Sequence, residues 1–220
     1  MCGRMVQAAI KKLWRSRGEV SGLPPAFQPR YNLAPTSAVM VVRDTKDGWS
    51  AEMMRWGLVP SWWKDAAKLP GQTFNARAET VASKPTFRAA FKRRRCIIPA
   101  DGFYEWKAEG AKTKQPFYIH PRDPEAVFAF AGLWELWETA DDTMESCTII
   151  TTIPNALMEE IHNRMPVILA PKSFDEWLDP ANQDTESLQR FLVLCDPTFM
   201  NAYAVGPVKG EGPELIVPIA

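Results

Sequence analysis

The chain has 220 residues, 46% hydrophobic and 24% charged, which describes one well-filled soluble domain rather than a disordered chain or a string of modules. The formal net charge is zero, 26 basic against 26 acidic residues, which on its face argues against nucleic-acid binding by bulk charge. That total hides an asymmetry: residues 1–120 hold 21 basic and 9 acidic residues and residues 121–220 hold 5 and 17, a split of +12 against −12 of the kind polyanion binders show.

No apolar run reaches the roughly 18 residues that a membrane span needs, and the longest, 126–134, suits a buried strand. Lys11 and Lys12 interrupt the apolar start before the core of a signal peptide can form, so a cytoplasmic location is expected. Cys2, Cys96, Cys147 and Cys195 are widely spaced and read as four thiols. With no C-x-x-C and only His120 and His162, the usual zinc spacings are absent, and no glycine-rich phosphate loop is present. No metal and no cofactor is expected.

Along the chain, Val6, Ile10, Leu13 and Trp14 fall at helical spacing, which predicts an amphipathic helix over 5–17 that stops at Gly18. Pro24, Pro25 and Pro29 then make an irregular loop. Residues 38–43 and 49–56 read as a hairpin around 44–48. The span 57–77 is rich in Pro, Gly and Trp without a clear period, and long ordered loops of that kind tend to be functional. Residues 79–94 read as helical pieces broken near Pro85. Short strands are predicted over 96–98, 103–106, 116–120, 127–133, 146–152, 203–205 and 215–217, with helices over 155–161, 173–178 and 185–194. Many short strands with inserted helices indicate an α+β fold with antiparallel or mixed sheets.

The sharpest feature is Met1-Cys2-Gly3-Arg4. Removal of an initiator Met before a small residue leaves Cys2 with a free α-amine and a thiol. An α-amine titrates near 8, so about a tenth of it is neutral at pH 7, and it is a ready nucleophile for an aldehyde. Amine attack gives a Schiff base, and the adjacent thiol closes a five-membered thiazolidine on the same carbon. Position alone leaves this reading and an accidental cysteine near the terminus evenly matched.

Four further segments accompany it: 30–35 (RYNLAP), 73–79 (TFNARAE), 98–106 (IPADGFYEW) and 161–166 (IHNRMP). Together with the terminal motif, and in this order, they resemble the SRAP family, the SOS response-associated peptidase-like proteins that crosslink to abasic sites in DNA. The resemblance runs from residue 2 to about 217, so that residues 1–220 are expected to form a single domain. It implies an α+β fold in which antiparallel and mixed coiled β-sheets form a barrel-like core with peripheral helices. It also implies a partner, single-stranded DNA carrying abasic sites, including at single-strand/duplex junctions, and a location at the nucleoid if the source is bacterial. A monomer is the simplest expectation.

Carried onto this sequence, the resemblance implies that Cys2 forms the thiazolidine with the ring-opened sugar aldehyde and that Asn75 holds the terminal residue or the sugar through its amide. Glu105 would be the general acid/base, and His162 would assist ring opening and Schiff-base proton transfer. Arg4, Arg77 and Arg164 would clamp phosphates, and Thr151 and Asn32 would contribute to the DNA contact. Trp62 and Trp63 are adjacent in the irregular loop, where both cannot easily pack inward, so at least one is expected to stack on a base or wedge the duplex; Trp106, Trp134 and Trp137 are expected in the core. The run 92–95 (KRRR) either offsets a helix dipole or meets phosphate, and Glu79 either caps a helix or touches substrate. Met5 and Pro207 stand where the family often has an aromatic residue and an Asn.

Two other chemistries use the same terminus. Class II glutamine amidotransferases also begin Met-Cys-Gly and use the α-amine as base for the thiol, and a peptidase or self-processing peptidase would pair Cys2 with His162. A non-enzymatic single-strand binding module would need no Cys2. If the charge split serves a polyanion, one basic groove should converge on Cys2, with the acidic residues facing away.

Overall fold

The structure is a computed structural model and describes residues 2–9, 23–65, 68, 70–110 and 113–219. Strand β1 (Met5–Gln7) and β2 (Arg30–Leu33) come first, followed by a hairpin of β3 (Ala38–Thr45) and β4 (Gly48–Trp56). Gly48 closes that hairpin at φ 100°, a region glycine enters without a Cβ clash. The short β5 (Asn75–Arg77) leads through turns to helix α1 (Arg88–Arg93). Five longer strands follow: β6 (Arg95–Ala100), β7 (Gly102–Glu109), β8 (Thr113–Pro121), β9 (Phe128–Glu138) and β10 (Thr143–Thr152). Helix α2 (Ala156–Glu159), β11 (Met165–Pro166), α3 (Phe174–Leu178), α4 (Thr185–Gln189) and β12 (Met200–Ala204) complete the order.

Five of these strands close on themselves. β3 pairs antiparallel with β4 and β6, β6 with β9, and β9 with β10, while β10 returns to β4 in parallel, making a mixed five-stranded barrel. The second sheet is antiparallel throughout, in the order β12-β8-β7-β1-β2. The α+β fold with a barrel-like core and peripheral helices is therefore as expected.

Side-chain alternation assigns the layers. On β6 and β9, Cys96, Ile98, Phe128 and Phe130 fill the barrel interior, whereas Ile97, Ala129, Ala131 and Leu133 face outward into a second cluster under α1 and α3. Burial on both faces explains why 126–134 is apolar without a period. On the second sheet, Met5, Phe103 and Ile119 join the interior cluster, and Val6, Tyr104 and Tyr118 point to the far face. One buried side chain ties the two sheets: Gln7 Nε2 donates to the carbonyls of Met40 (2.9 Å) and Pro99 (2.8 Å), and Gln7 Oε1 accepts from the Met40 N–H (2.9 Å).

Several expectations require correction. Met5–Gln7 is a strand whose side chains alternate between two cores, not the start of a helix, and residues 10–17 of the expected helix lie outside the described residues. The expected strand over 215–217 is a 3-10 turn, Pro213–Ile216, because Pro213 lacks an N–H for a ladder and suits a helix start; only Val205 and Pro218 form a bridge there. Strands β9 and β10 extend farther than predicted, joining as a hairpin with Glu138 opposite Thr143. The helix expected over 185–194 stops at Gln189.

Replacing Gln7 with Leu removes the polar tie while conserving bulk, and leaves the Met40 N–H and two carbonyls buried without it. The expected loss is about 3 kcal/mol of unfolding free energy, read from urea denaturation.

Candidate active site

Strand β10 of the barrel carries the site. Ser146 and Cys147 of β10 pair with Arg55 and Trp56 of β4, but from Ile149 to Thr151 the same edge pairs with β5. On the other edge, pairing with β9 ends at Ile149, and β11 takes over at Thr151 and Thr152. The protruding half of β10 thus holds Asn75 and Arg77 on one side and the segment containing His162 and Arg164 on the other.

Cys2 is fully buried within the interior cluster, three residues before Met5, which pairs with Leu33 and Phe103. Asn75 Nδ2 donates to the Cys2 carbonyl at 2.8 Å, and the buried Asn75 Oδ1 has no partner among the described residues. Ala76 between Asn75 and Arg77 points into the outer cluster, so strand alternation turns both neighbours the other way.

Glu105 lies on β7 at the same parity as Phe103, and so faces the interior layer, only 2% exposed. Burial pushes its carboxyl up to about 7. Burial likewise raises the Cys2 thiol well above the ordinary cysteine range, with the Glu105 charge adding in the same direction. His162 follows α2, whose N-cap Asn155 accepts from the Met158 N–H at 3.0 Å; the His162 N–H in turn donates to the Met158 carbonyl at 2.7 Å. The imidazole Nε2 stands 3.8 Å from Glu105 Oε2, and burial lowers its pKa. A carboxyl poised near neutrality beside a neutral imidazole can donate and accept protons at cellular pH, which a carboxyl at its ordinary value does not. Cys2, Asn75, Glu105 and His162 are therefore brought together from four distant segments.

The arginines are individually held. Arg164 pairs bidentately with Glu79 (2.6 and 3.0 Å), and its Nη2 donates to the Thr151 carbonyl at 2.6 Å. Arg4 Nη1 donates to Asn32 Oδ1 at 2.5 Å, and Asn32 Nδ2 donates to the Gly210 carbonyl at 2.8 Å. Arg30 pairs with Glu211. Arg77 is exposed. Thr151 is fully buried and acts as an anchor for Arg164, while Asn32, at 7% exposure, orients Arg4. Trp62 is 56% exposed, whereas Trp63 is half-buried with its indole N–H donated to the Asp65 and Lys68 carbonyls, so the pair does split outward and inward. Of the strand tryptophans, Trp137 is buried, whereas Trp106 and Trp134 are only partly so.

Other charge expectations fail. Arg95 of the basic run is buried, donating to the carbonyls of Phe91, Lys92, Trp177, Asp179 and Asn182, and Arg94 pairs with Glu135. The run therefore divides between structural and exposed cations. Glu79 caps no helix, since α1 begins at Arg88 and its N-cap is Phe87, which makes no side-chain cap bond. Glu79, Glu105 and Glu211 stand among the site arginines and histidine instead of facing away. No spacing rule could have paired Glu79 with Arg164, which are 85 positions apart. Among the described residues, no three His, Cys, Asp or Glu side chains cluster as a metal site, and no helix is long and apolar enough to cross a membrane.

A closed mixed barrel with an antiparallel second sheet, and a buried cysteine facing a Glu–His pair between them, defines a small α+β protein built around an amino-terminal thiol site. The chain belongs to the SRAP family: a profile of the SOS response associated peptidase family matches residues 1–210. Among similar proteins, the abasic site processing protein YoqW of Bacillus subtilis is 45% identical over 86% of each chain. The abasic site processing protein YedK of Escherichia coli is 31% identical over the full length of both. The abasic site processing protein HMCES of Gallus gallus is 32% identical, covering 88% of this chain and 67% of that one. A crystal structure of a Bacteroides thetaiotaomicron protein superposes with a TM-score of 0.81 at 27% identity, covering 97% of this chain and 92% of that one.

Because the Glu105 carboxyl is raised from the ordinary Glu range to about 7, its contribution to stability is present below the ordinary value and is lost as pH rises through 7. Glu105→Gln should therefore melt several degrees above the unsubstituted protein at pH 8, and the gap should close near pH 4.

Proposed function

We propose that this protein processes abasic sites, binding single-stranded DNA and forming a reversible covalent crosslink between Cys2 and the ring-opened sugar, which shields the lesion during replication. The observation that supports this best is the convergence of a buried Cys2, held through its carbonyl by Asn75, on the Glu105–His162 pair. The names of the relatives supply the lesion. In this reading residues 1–220 act as one domain and one monomer, in the cytoplasm or at the nucleoid, without metal or cofactor.

With Met1 removed, the Cys2 amine attacks the aldehyde carbon, and the carbinolamine loses water to give an imine. The thiol then adds across the C=N bond, its proton passing to nitrogen, so that one C–N and one C–S bond form and one water leaves. Glu105 supplies the proton that opens the sugar and later reverses the ring, and the neutral His162 relays protons at the imine. Asn75 fixes the Cys2 backbone so that amine and thiol face one carbon, and its unpartnered Oδ1 is available to a sugar hydroxyl. Arg77, Arg4 and Arg164 meet phosphates, the latter two prepositioned by Asn32 and Thr151. Trp62 stacks on an unpaired base while Trp63 anchors the loop.

The test is a denaturing gel after incubation with single-stranded DNA bearing one abasic site. A heat-stable complex should form there and not on undamaged DNA, and Cys2→Ala or an extra residue before Cys2 should abolish it. Full-yield crosslinking by the extended form would sink the mechanism, because its amine is an amide. Glu105→Gln and His162→Ala should each slow formation by about a hundredfold.

Trp62→Ala should weaken binding to undamaged single strands by about 1–3 kcal/mol, measured by fluorescence anisotropy, with only a small change in melting temperature because the residue is 56% exposed and its ring packs on Trp63 alone among the aromatic contacts.

A further inference from the structure

The turn 162–164 is pinned at both ends by backbone hydrogen bonds, the His162 N–H to the Met158 carbonyl and Met165 to the Thr152 register of β10. Within it, the Arg164 backbone presents both of its polar groups to one imidazole nitrogen. The Arg164 N–H lies 3.1 Å from His162 Nδ1, and the Arg164 carbonyl lies 3.4 Å from the same atom. A backbone N–H can only donate, so Nδ1 of the neutral ring is the acceptor and the proton sits on Nε2, the nitrogen 3.8 Å from Glu105.

To these backbone ties the Arg164 side chain adds a further hold on the turn. That side chain is 14% exposed and reaches back to β10 and to the turn that follows β5, with Nη2 on the Thr151 carbonyl and both Nη atoms on the Glu79 carboxylate. Two parallel N–H···O bonds to a planar carboxylate fix a guanidinium in orientation as well as position.

We propose that Glu79 is a positioning residue for His162: through its bidentate hold on Arg164 it sets the turn whose N–H selects the Nε2–H form of the imidazole and directs that proton at Glu105. The proposal rests on the reaction proposed above for its kinetic consequence, but not for its structural one. Glu79 itself touches neither Cys2 nor the reacting carbon. As a carboxylate beside an arginine assigned to phosphate, it offsets that arginine's charge, so loss of the Glu79 charge should leave binding to an undamaged strand equal or tighter while slowing the chemistry.

The experiment compares Glu79→Gln with the unsubstituted protein in two readouts. The first is binding to an undamaged single strand against the rate of crosslink formation on the abasic strand. Binding should be equal or tighter, and the saturated crosslinking rate should fall about ten- to a hundredfold. The second is nitrogen-15 NMR of the imidazoles at a pH where they are neutral, tractable because the chain has two histidines and His120→Phe assigns them. His162 should be in the Nε2–H form, becoming a mixture of tautomers in Glu79→Gln. An unchanged rate, an unchanged tautomer, or a loss of rate matched by an equal loss of binding would each overturn the proposal. If the unsubstituted protein forms no crosslink, the reaction assigned above fails, and the tautomer comparison alone decides whether Glu79 positions His162.

Discussion

The site depends on one strand changing partners. Up to Ile149, β10 is a barrel stave between β9 and β4; beyond it, the barrel has ended on both edges and the backbone groups of β10 still need partners. β5 and β11 meet that need, and both bring chemistry with them, Asn75 and Arg77 from one side and the turn with His162 and Arg164 from the other. A barrel that closed over the whole length of β10 would leave no ladder for either segment. The candidate site residues are therefore placed by the requirement that buried amides and carbonyls be paired, not by attraction among those residues themselves.

The second sheet supplies the other wall. β1 lies between β2 and β7, so that the residues ahead of it are drawn into the apolar layer between sheet and barrel, and the Gln7 amide locks that strand to β3 and β6. The same antiparallel pairing presents Glu105 to the layer from β7. A thiol, a carboxyl and an imidazole in such surroundings all shift towards their neutral forms, since burial penalises charge on each. Neutral partners exchange protons without building net charge in a low-dielectric space, which suits the reversible chemistry proposed for this site. The cost is a Glu that opposes folding once it ionises.

Around this neutral centre the cations are held by counter-groups. Arg164, Arg30 and Arg94 each meet a Glu, Arg4 is tethered through Asn32, and Arg95 is consumed by backbone carbonyls. The excess of basic residues in the first 120 positions is real, but in the folded molecule much of it is paired across the chain with the acidic second part: Arg30 with Glu211 and Arg94 with Glu135. Pairing of this sort fixes guanidinium orientation before a ligand arrives, at the expense of raw electrostatic attraction. The exposed Arg77 and Trp62 are the members of the set that face solvent.

The sequence by itself determined the α+β class, the 38–56 hairpin and most of the strands, and its family motifs named Cys2, Asn75, Glu105 and His162, which the fold brings close together. Hairpins, N-caps and strand alternation are local, and the five motifs keep their order along the chain. It misassigned what local pattern cannot distinguish. Met5, Val6 and Gln7 fit a helix until two different cores claim Met5 and Val6, and residues 92–95 look like one basic patch until Arg95 turns inward to five carbonyls. Which carboxylate holds which arginine, which imidazole nitrogen carries the proton, and how far β10 outruns its barrel were decided only by the tertiary structure. Each depends on groups many tens of residues apart meeting in a space whose polarity no local stretch of sequence specifies.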